Sequence, residues 1–162
     1  MRDDLRPGDL GSVVRMHRLL YGREEGLDTT FEAYVALALA EFALARDREG
    51  EQAGWLWLAE LDEQPVGSVG LVRFSASEAQ LRWFLISPAA RGQGLGRRLL
   101  REVLDRARAT GYQSVFLWTY RGLDAAAHLY QEAGFRLSET RETHQWGREV
   151  VIEQRYDLQL PA

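Results

Sequence analysis

Two segments near the start of the chain repeat apolar residues at helical spacing. Behind the turn Pro7-Gly8-Asp9, the residues Leu10, Val13, Val14, His17 and Leu20 share one face, which predicts a helix capped by Asp9. Phe31, Val35, Ala38, Leu39 and Phe42 form a second stripe. Ahead of it, Thr29-Thr30-Phe31-Glu32 fits a capping box, in which Thr29 and Glu32 satisfy each other's free amides. Residues 22–28 read as a short polar connection and 46–53 as a longer polar loop.

From Gly54 the period becomes that of strands. Strands are predicted over residues 55–61, 66–74 and 79–87, separated by short turns at 62–65 and 75–78, which makes an antiparallel meander. The run 81–86 is apolar except for Arg82, as expected of a strand inside a sheet. Pro88 ends it. The next helix carries Leu95, Leu99, Leu100, Val103, Leu104 and Ala107 on one face, with arginines and acids opposite, and Gly111 closes it as a left-handed cap. A strand over 114–119 follows, then a helix capped by Asp124 and ended by Gly134. Two last strands span 135–144 and 148–158, the second alternating through Val150, Ile152, Tyr156 and Leu158. These last two strands could pair within the chain or across a homodimer. The order is ααβββαβαββ, an α/β (α+β) mixed sheet with helices on its faces, and residues 1–162 show no domain boundary.

Composition narrows the function. The chain has 162 residues, 46% of them hydrophobic, enough for one domain with a full core. It has no cysteine, so disulfides and protein thiolate chemistry are excluded. No run reaches membrane-span length and the first residues lack a signal peptide's order, so a soluble, cytoplasmic protein without membrane partner is expected. A net charge of −4 and the lack of a basic recognition helix argue against nucleic acid. All 20 basic residues are arginine, so the chain offers no lysine side chain for modification. His17, His128 and His144 lie on different elements without ligand spacing, and no metal is expected. No Gly-x-Ser-x-Gly elbow supports nucleophilic hydrolysis.

The segment Arg91-Gly92-Gln93-Gly94-Leu95-Gly96 follows a strand and opens a helix. The first helical amides have no internal partners and carry the positive end of the helix dipole. Glycines let a phosphate approach those amides, and Arg91 and Arg97 can add charge-assisted bonds. Two other phosphate signatures are absent. A Walker loop needs Gly-Lys-Ser/Thr after the glycines, and a dinucleotide fingerprint needs glycine where Arg97 stands, inside a βαβ unit. A plain glycine turn is the alternative, but three glycines on alternate positions bracketed by arginines exceed what a turn requires.

The pattern Arg91-x-x-Gly94-x-Gly96 after a strand resembles the coenzyme A motif of the GNAT N-acetyltransferases. Leu129-Tyr130-x-x-x-Gly134-Phe135 resembles that family's second motif. More narrowly, Leu81-Arg82-Trp83-Phe84-Leu85, Phe116-Leu117-Trp118-Thr119, Gly122-Leu123-Asp124, Ala125-Ala126-Ala127, His128-Leu129-Tyr130 and His144-Gln145-Trp146-Gly147-Arg148 resemble the acetyltransferase half of bacterial proteins fused to a MarR-type DNA-binding domain. The resemblance implies a mostly antiparallel central sheet with helices on both faces and acetyl-coenzyme A as co-substrate. It implies that the backbone of Leu85 and Ile86 binds the pantetheine arm as an added strand. It implies that the amides of Arg91, Gly92, Gln93, Gly94, Leu95, Gly96 and Arg97 hold the pyrophosphate. The strands of Leu85 and Val115 would splay apart at their ends, and Tyr130 would protonate the leaving thiolate. A phenol of pKa ~10 can protonate a thiolate whose thiol has pKa ~8.5 only when both are well placed.

Two positions depart from the family pattern. Gln80 stands where many members carry a glutamate base, and Leu123 where an asparagine often precedes the tyrosine by seven residues. Glu24 or Glu25 could replace the base, with Glu78, His17 and His144 behind them and a water chain as a further route. Tyr21, Trp83, Trp118, Tyr120 and Trp146 could wall an acceptor pocket. The acidic Glu24, Glu25 and Asp28 hint at a cationic amine. The expected function is acetyl transfer to a primary amine of a small molecule, amino acid or peptide by direct attack in a ternary complex. A non-catalytic acyl-coenzyme A sensor or regulatory module is the alternative.

Overall fold

The alternate side chains of Gly54–Leu61 (β1) are all apolar through Ala59, because this strand is covered on both faces. Trp55 and Trp57 enter one core and Leu56 and Leu58 the other. The computed structural model describes residues 1–161. The helices Asp9–Glu24 (α1) and Thr29–Glu49 (α2) precede β1. Then come Gln64–Arg73 (β2), Glu78–Ile86 (β3), the helix Leu95–Thr110 (α3), Ser114–Tyr120 (β4), the helix Asp124–Glu132 (α4), Arg136–Thr143 (β5) and Val151–Gln159 (β6), with single 3-10 turns at Gly50–Ala53 and Pro88–Ala90. The predicted order is thus the observed one. None of these helices is long and apolar enough to cross a membrane.

The six strands form one sheet in the order β1-β2-β3-β4-β6-β5, antiparallel except between β3 and β4. β5 pairs with β6 inside the chain, which decides the open pairing of the last two strands. One core lies between the sheet and α3, with Val69, Leu71, Leu81, Leu99, Val103, Val115 and Leu117. The other lies under α1 and α2, with Val13, Phe31, Val35, Leu39, Trp83, Tyr120 and Val151.

Several local readings are corrected by the structure. Gly8, in a left-handed conformation (φ 95°), is the cap of α1, and Asp9 is its first helical residue. The Asp9 carboxylate accepts instead from the Arg2 guanidinium at 2.7 and 2.8 Å and from the Arg6 amide at 2.6 Å. α2 is capped by Asp28, whose Oδ1 accepts from the Thr30 amide at 2.9 Å, so the Thr29–Glu32 box does not form. Residues 22–24 stay in α1 and 46–49 in α2, since charged Arg and Glu are good helix formers on an exposed face. Leu123, not Asp124, precedes the first turn of α4. In β6, Val150 lies outside the strand and is exposed, while Val151 and Glu153 are buried.

Candidate acyl-transfer site at a break in the sheet

β3 and β4 pair only over Glu78–Gln80 and Ser114–Phe116. Beyond Gln80 the β4-facing edge of β3 has no strand beside it, which is the predicted splay. The pairing with β2 also slips there: Ser68 faces Leu85 but Gly70 faces Arg82, so β3 carries one extra residue. Trp83 takes a left-handed conformation (φ 50°) at this bulge. The parity of β3 therefore changes. Leu81 faces the α3 core, Trp83 the α1/α2 core, and Phe84 and Ile86 the α3 core again. Two groups hold the irregularity. Ser68 Oγ, fully buried, donates to the Trp83 carbonyl at 2.7 Å. Gly70 leaves room for the indole, since a Cβ there would lie 2.5 Å from Trp83 Cε3.

A cleft of about 620 Å³ opens beside the free edge of β3. Its walls include Leu85, Ile86, Arg91, Gly92, Gly94, Leu95, Gly96 and Arg97, so eight of the nine predicted cofactor residues are brought together. Gln93 is outside the lining, and its Nε2 donates to the Ala89 carbonyl at 3.3 Å. Gly92 and Gly94 are left-handed (φ 75° and 74°), and a Cβ on either would meet nothing within 4 Å. They are needed for the backbone path, and they turn it toward open space. Gly96 differs: a Cβ there would sit 2.8 Å from Leu129 Cδ1, so this glycine lets α3 approach α4. The Arg98 amide bonds to the Gly94 carbonyl at 3.1 Å as α3 begins. The amides of Leu95, Gly96 and Arg97 are therefore those that a helix start leaves for an external acceptor.

The two arginines of this loop are engaged with carboxylates. Arg91 donates to both Glu24 oxygens, at 3.1 and 2.9 Å, and to the Ile86 carbonyl at 3.2 Å. Arg97 donates to both Glu132 oxygens, at 3.0 and 3.1 Å. Glu25 is likewise held by Arg148 at 3.3 Å. The two acids expected to supply a base or attract a cation are thus neutralised by arginine, a pairing across more than sixty residues that spacing does not reveal. His128, on the exposed side of α4, lines the cleft and meets Glu132 at 3.2 Å.

A second cavity, of about 110 Å³, lies on the α1/α2 side and shares Tyr21, Phe84 and Leu123 with the cleft. Tyr130, Gln80, Trp83 and Trp118 line it, with Tyr120, Trp146 and His17. Tyr130 is buried against Phe84, Phe135 and Tyr156, with ring centroids 5.6, 6.1 and 6.1 Å away, and burial pushes its phenol well above the ordinary value of 10. Burial also raises Tyr21, to about 12. His17 donates from Nδ1 to the Val13 carbonyl at 2.8 Å, and burial lowers its pKa to about 4, so it is neutral at pH 7. His144 is exposed and does not line this cavity, and Glu78 is bound to Arg155 at 3.1 Å.

Sequence reasoning missed Glu153, buried on this cavity wall and bonded to Arg141 at 2.8 Å. Its signal was available, since it alternates with Val151, but the apolar stripe on the opposite face of β6 drew the assignment. Arg82 was visible only as an exception in an apolar run, and the fold places it on the same wall.

The model of the acetyltransferase (GNAT) family matches residues 17–135. N-acetyltransferase 8B of Homo sapiens is 37% identical over 101 residues, covering 59% of this chain and 44% of that protein. The N-acetyltransferase YjgM of Escherichia coli is 32% identical over 82 residues, 49% of each. The chain thus spans about half the length of these relatives. An acetyltransferase structure from Streptococcus agalactiae superposes with TM-score 0.75 at 19% identity, covering 98% of this chain and 96% of that one. The structure of yncA from Salmonella typhimurium with its cofactor acetyl-CoA superposes with TM-score 0.73 at 19% identity, covering 99% and 93%. At such identities the likeness is one of fold. With the family model spanning the open strand edge, the glycine loop and Tyr130, the chain belongs to the GNAT acetyltransferase family.

Proposed function

We propose that the protein is an acetyl-coenzyme A-dependent N-acetyltransferase, acting on the primary amine of a small molecule, amino acid or peptide by direct attack with both partners bound. The observation that carries this reading is the adjacency of two voids at the break in the sheet. The cleft with the glycine loop and the smaller aromatic cavity share the walls Tyr21, Phe84 and Leu123. A nucleotide thioester entering by one and an amine by the other would meet there.

Bound acetyl-coenzyme A supplies a thioester whose carbonyl carbon the amine attacks, the new carbon–nitrogen bond replacing the carbon–sulfur bond. The chain's own part is binding, orientation and one proton. Of Leu85 and Ile86, Leu85 turns its backbone toward β2, and Ile86 at the unpaired edge of β3 offers backbone groups to an extended arm and a donor to the carbonyl. The first amides of α3 hold the pyrophosphate, with Arg91 and Arg97 beside them. Tyr130 keeps its proton at Oη far above neutral pH and releases it to sulfur as the bond breaks. Gln80 lines the cavity but cannot take the amine's proton usefully, so that proton leaves by water.

We read residues 1–162 as one acetyltransferase domain, near in sequence pattern to those fused to MarR-type regulators, and its acceptor as a soluble amine rather than nucleic acid or lipid. The test is titration calorimetry with acetyl-coenzyme A on wild type and on Gly94→Glu/Gly96→Glu, followed by an amine screen with a free-thiol readout. Binding in the micromolar range that the double variant loses is the expected result. No binding by wild type would overturn the reading, and binding without turnover of any amine would leave a sensor.

A further inference from the structure

The small cavity carries a charge that the acyl-transfer reading does not use. The Arg82 guanidinium lies between two rings, 6.0 Å from the Tyr34 centroid and 5.1 Å from that of Trp83, and donates to Tyr34 Oη at 3.4 Å. Among the described residues no carboxylate pairs with it. The other full charge on the wall, Glu153, is met by Arg141 at 2.8 Å. Tyr120 is 5% exposed, and its Oη has no hydrogen-bond partner among the described residues.

We propose that this cavity selects acceptors that carry a carboxylate together with their amine, amino acids in the broad sense, with Arg82 binding the carboxylate and Tyr120 Oη completing the polar contacts. The inference rests on the acetyltransferase reading of the site. Three arguments support it. A guanidinium laid against aromatic faces keeps its planar fork for a bidentate partner, and a carboxylate matches that fork. A buried hydroxyl without a partner is costly, and a polar ligand relieves that cost. The volume of about 110 Å³ is below the ~150 Å³ that accommodates benzene, so the body of the acceptor is compact.

Of the acids that suggested a cationic acceptor, Glu24 and Glu25 are already paired with Arg91 and Arg148, and Asp28 caps α2.

The experiment compares matched compact amines on the full chain: glycine with methylamine, and 3-aminopropanoate with ethylamine. Thiol release gives kcat and KM, and calorimetry on coenzyme A-saturated protein gives direct binding. The carboxylate-bearing member of at least one pair is expected to lead by roughly tenfold to a hundredfold in kcat/KM. Arg82→Gln is expected to abolish that lead through KM, with acetyl-coenzyme A affinity and thermal midpoint retained. Equal or better use of the plain amines in both pairs overturns the proposal, as does failure of both acids to bind to protein that binds coenzyme A. Failure of wild type to bind acetyl-coenzyme A falls instead on the acetyltransferase reading, and the proposal falls with it.

Discussion

Ser68 Oγ donates to the Trp83 carbonyl at 2.7 Å from a position with no solvent exposure, across the bulge that breaks the pairing of β2 and β3. A tryptophan in the left-handed region is strained, and a buried carbonyl freed by a bulge needs a donor. This one bond answers the second need and holds β3 open where the cleft begins. Ser68→Ala is expected to cost about 1–2 kcal/mol, because the carbonyl loses its partner without gaining water. Urea unfolding measures this, and kcat for acetyl transfer should fall with it. An unchanged unfolding midpoint would show that the bulge is held by packing alone.

Removal of one oxygen tests the acid. Tyr130→Phe keeps the ring contacts to Phe84, Phe135 and Tyr156. Turnover is expected to fall roughly a hundredfold or more while acetyl-coenzyme A affinity stays within about twofold. A variant with wild-type kcat would remove Tyr130 from the chemistry.

The Arg91–Glu24 pair predicts an electrostatic effect of opposite sign. Both side chains are substantially exposed, so the pair itself contributes little stability. Glu24→Gln leaves the guanidinium free beside the glycine loop and removes a negative charge from the cleft. Acetyl-coenzyme A should bind roughly two- to fivefold more tightly at low salt, and the gain should shrink as ionic strength rises. Weaker binding would mean that Glu24 serves to position Arg91.

His17 predicts a pH dependence of stability. Its pKa is about 4 in the fold against 6.5 when exposed, so the unfolded chain binds more protons between those values. Stability therefore rises with pH across that window, and acidification from pH 6.5 to 4 should remove up to about 3 kcal/mol. The Asp9 carboxylate, lowered by its bonds to Arg2, loses its contribution only below the usual carboxylate range. Denaturation at a series of pH values, on wild type and His17→Asn, separates them. The variant should show a flatter profile between pH 6.5 and 4.

The order of elements was legible because each is coded locally. The stripe Phe31, Val35, Ala38, Leu39 and Phe42 is the buried face of α2, and Gly111 closes α3 in the left-handed conformation that was expected. The glycine loop was legible for the same reason, since its amides and its φ angles belong to consecutive residues. Caps were less so. Asp28 and Thr29 are equally able to cap, and a one-residue shift in where the backbone turns decides between them.

What the sequence determined by itself is the set of elements, the glycine turn at 91–96 that opens α3 and the tyrosine of α4, all features whose physics lies within a few residues. What only the tertiary structure decided is which distant groups face one another. Arg91 meets Glu24 from α1, Arg148 meets Glu25, Glu153 turns inward to Arg141, and Arg82 stands on the cavity wall without a carboxylate. Their charges were known from the sequence. Their compensation was not, because a Coulomb interaction depends on separation in space and on burial, and both are set when the sheet closes.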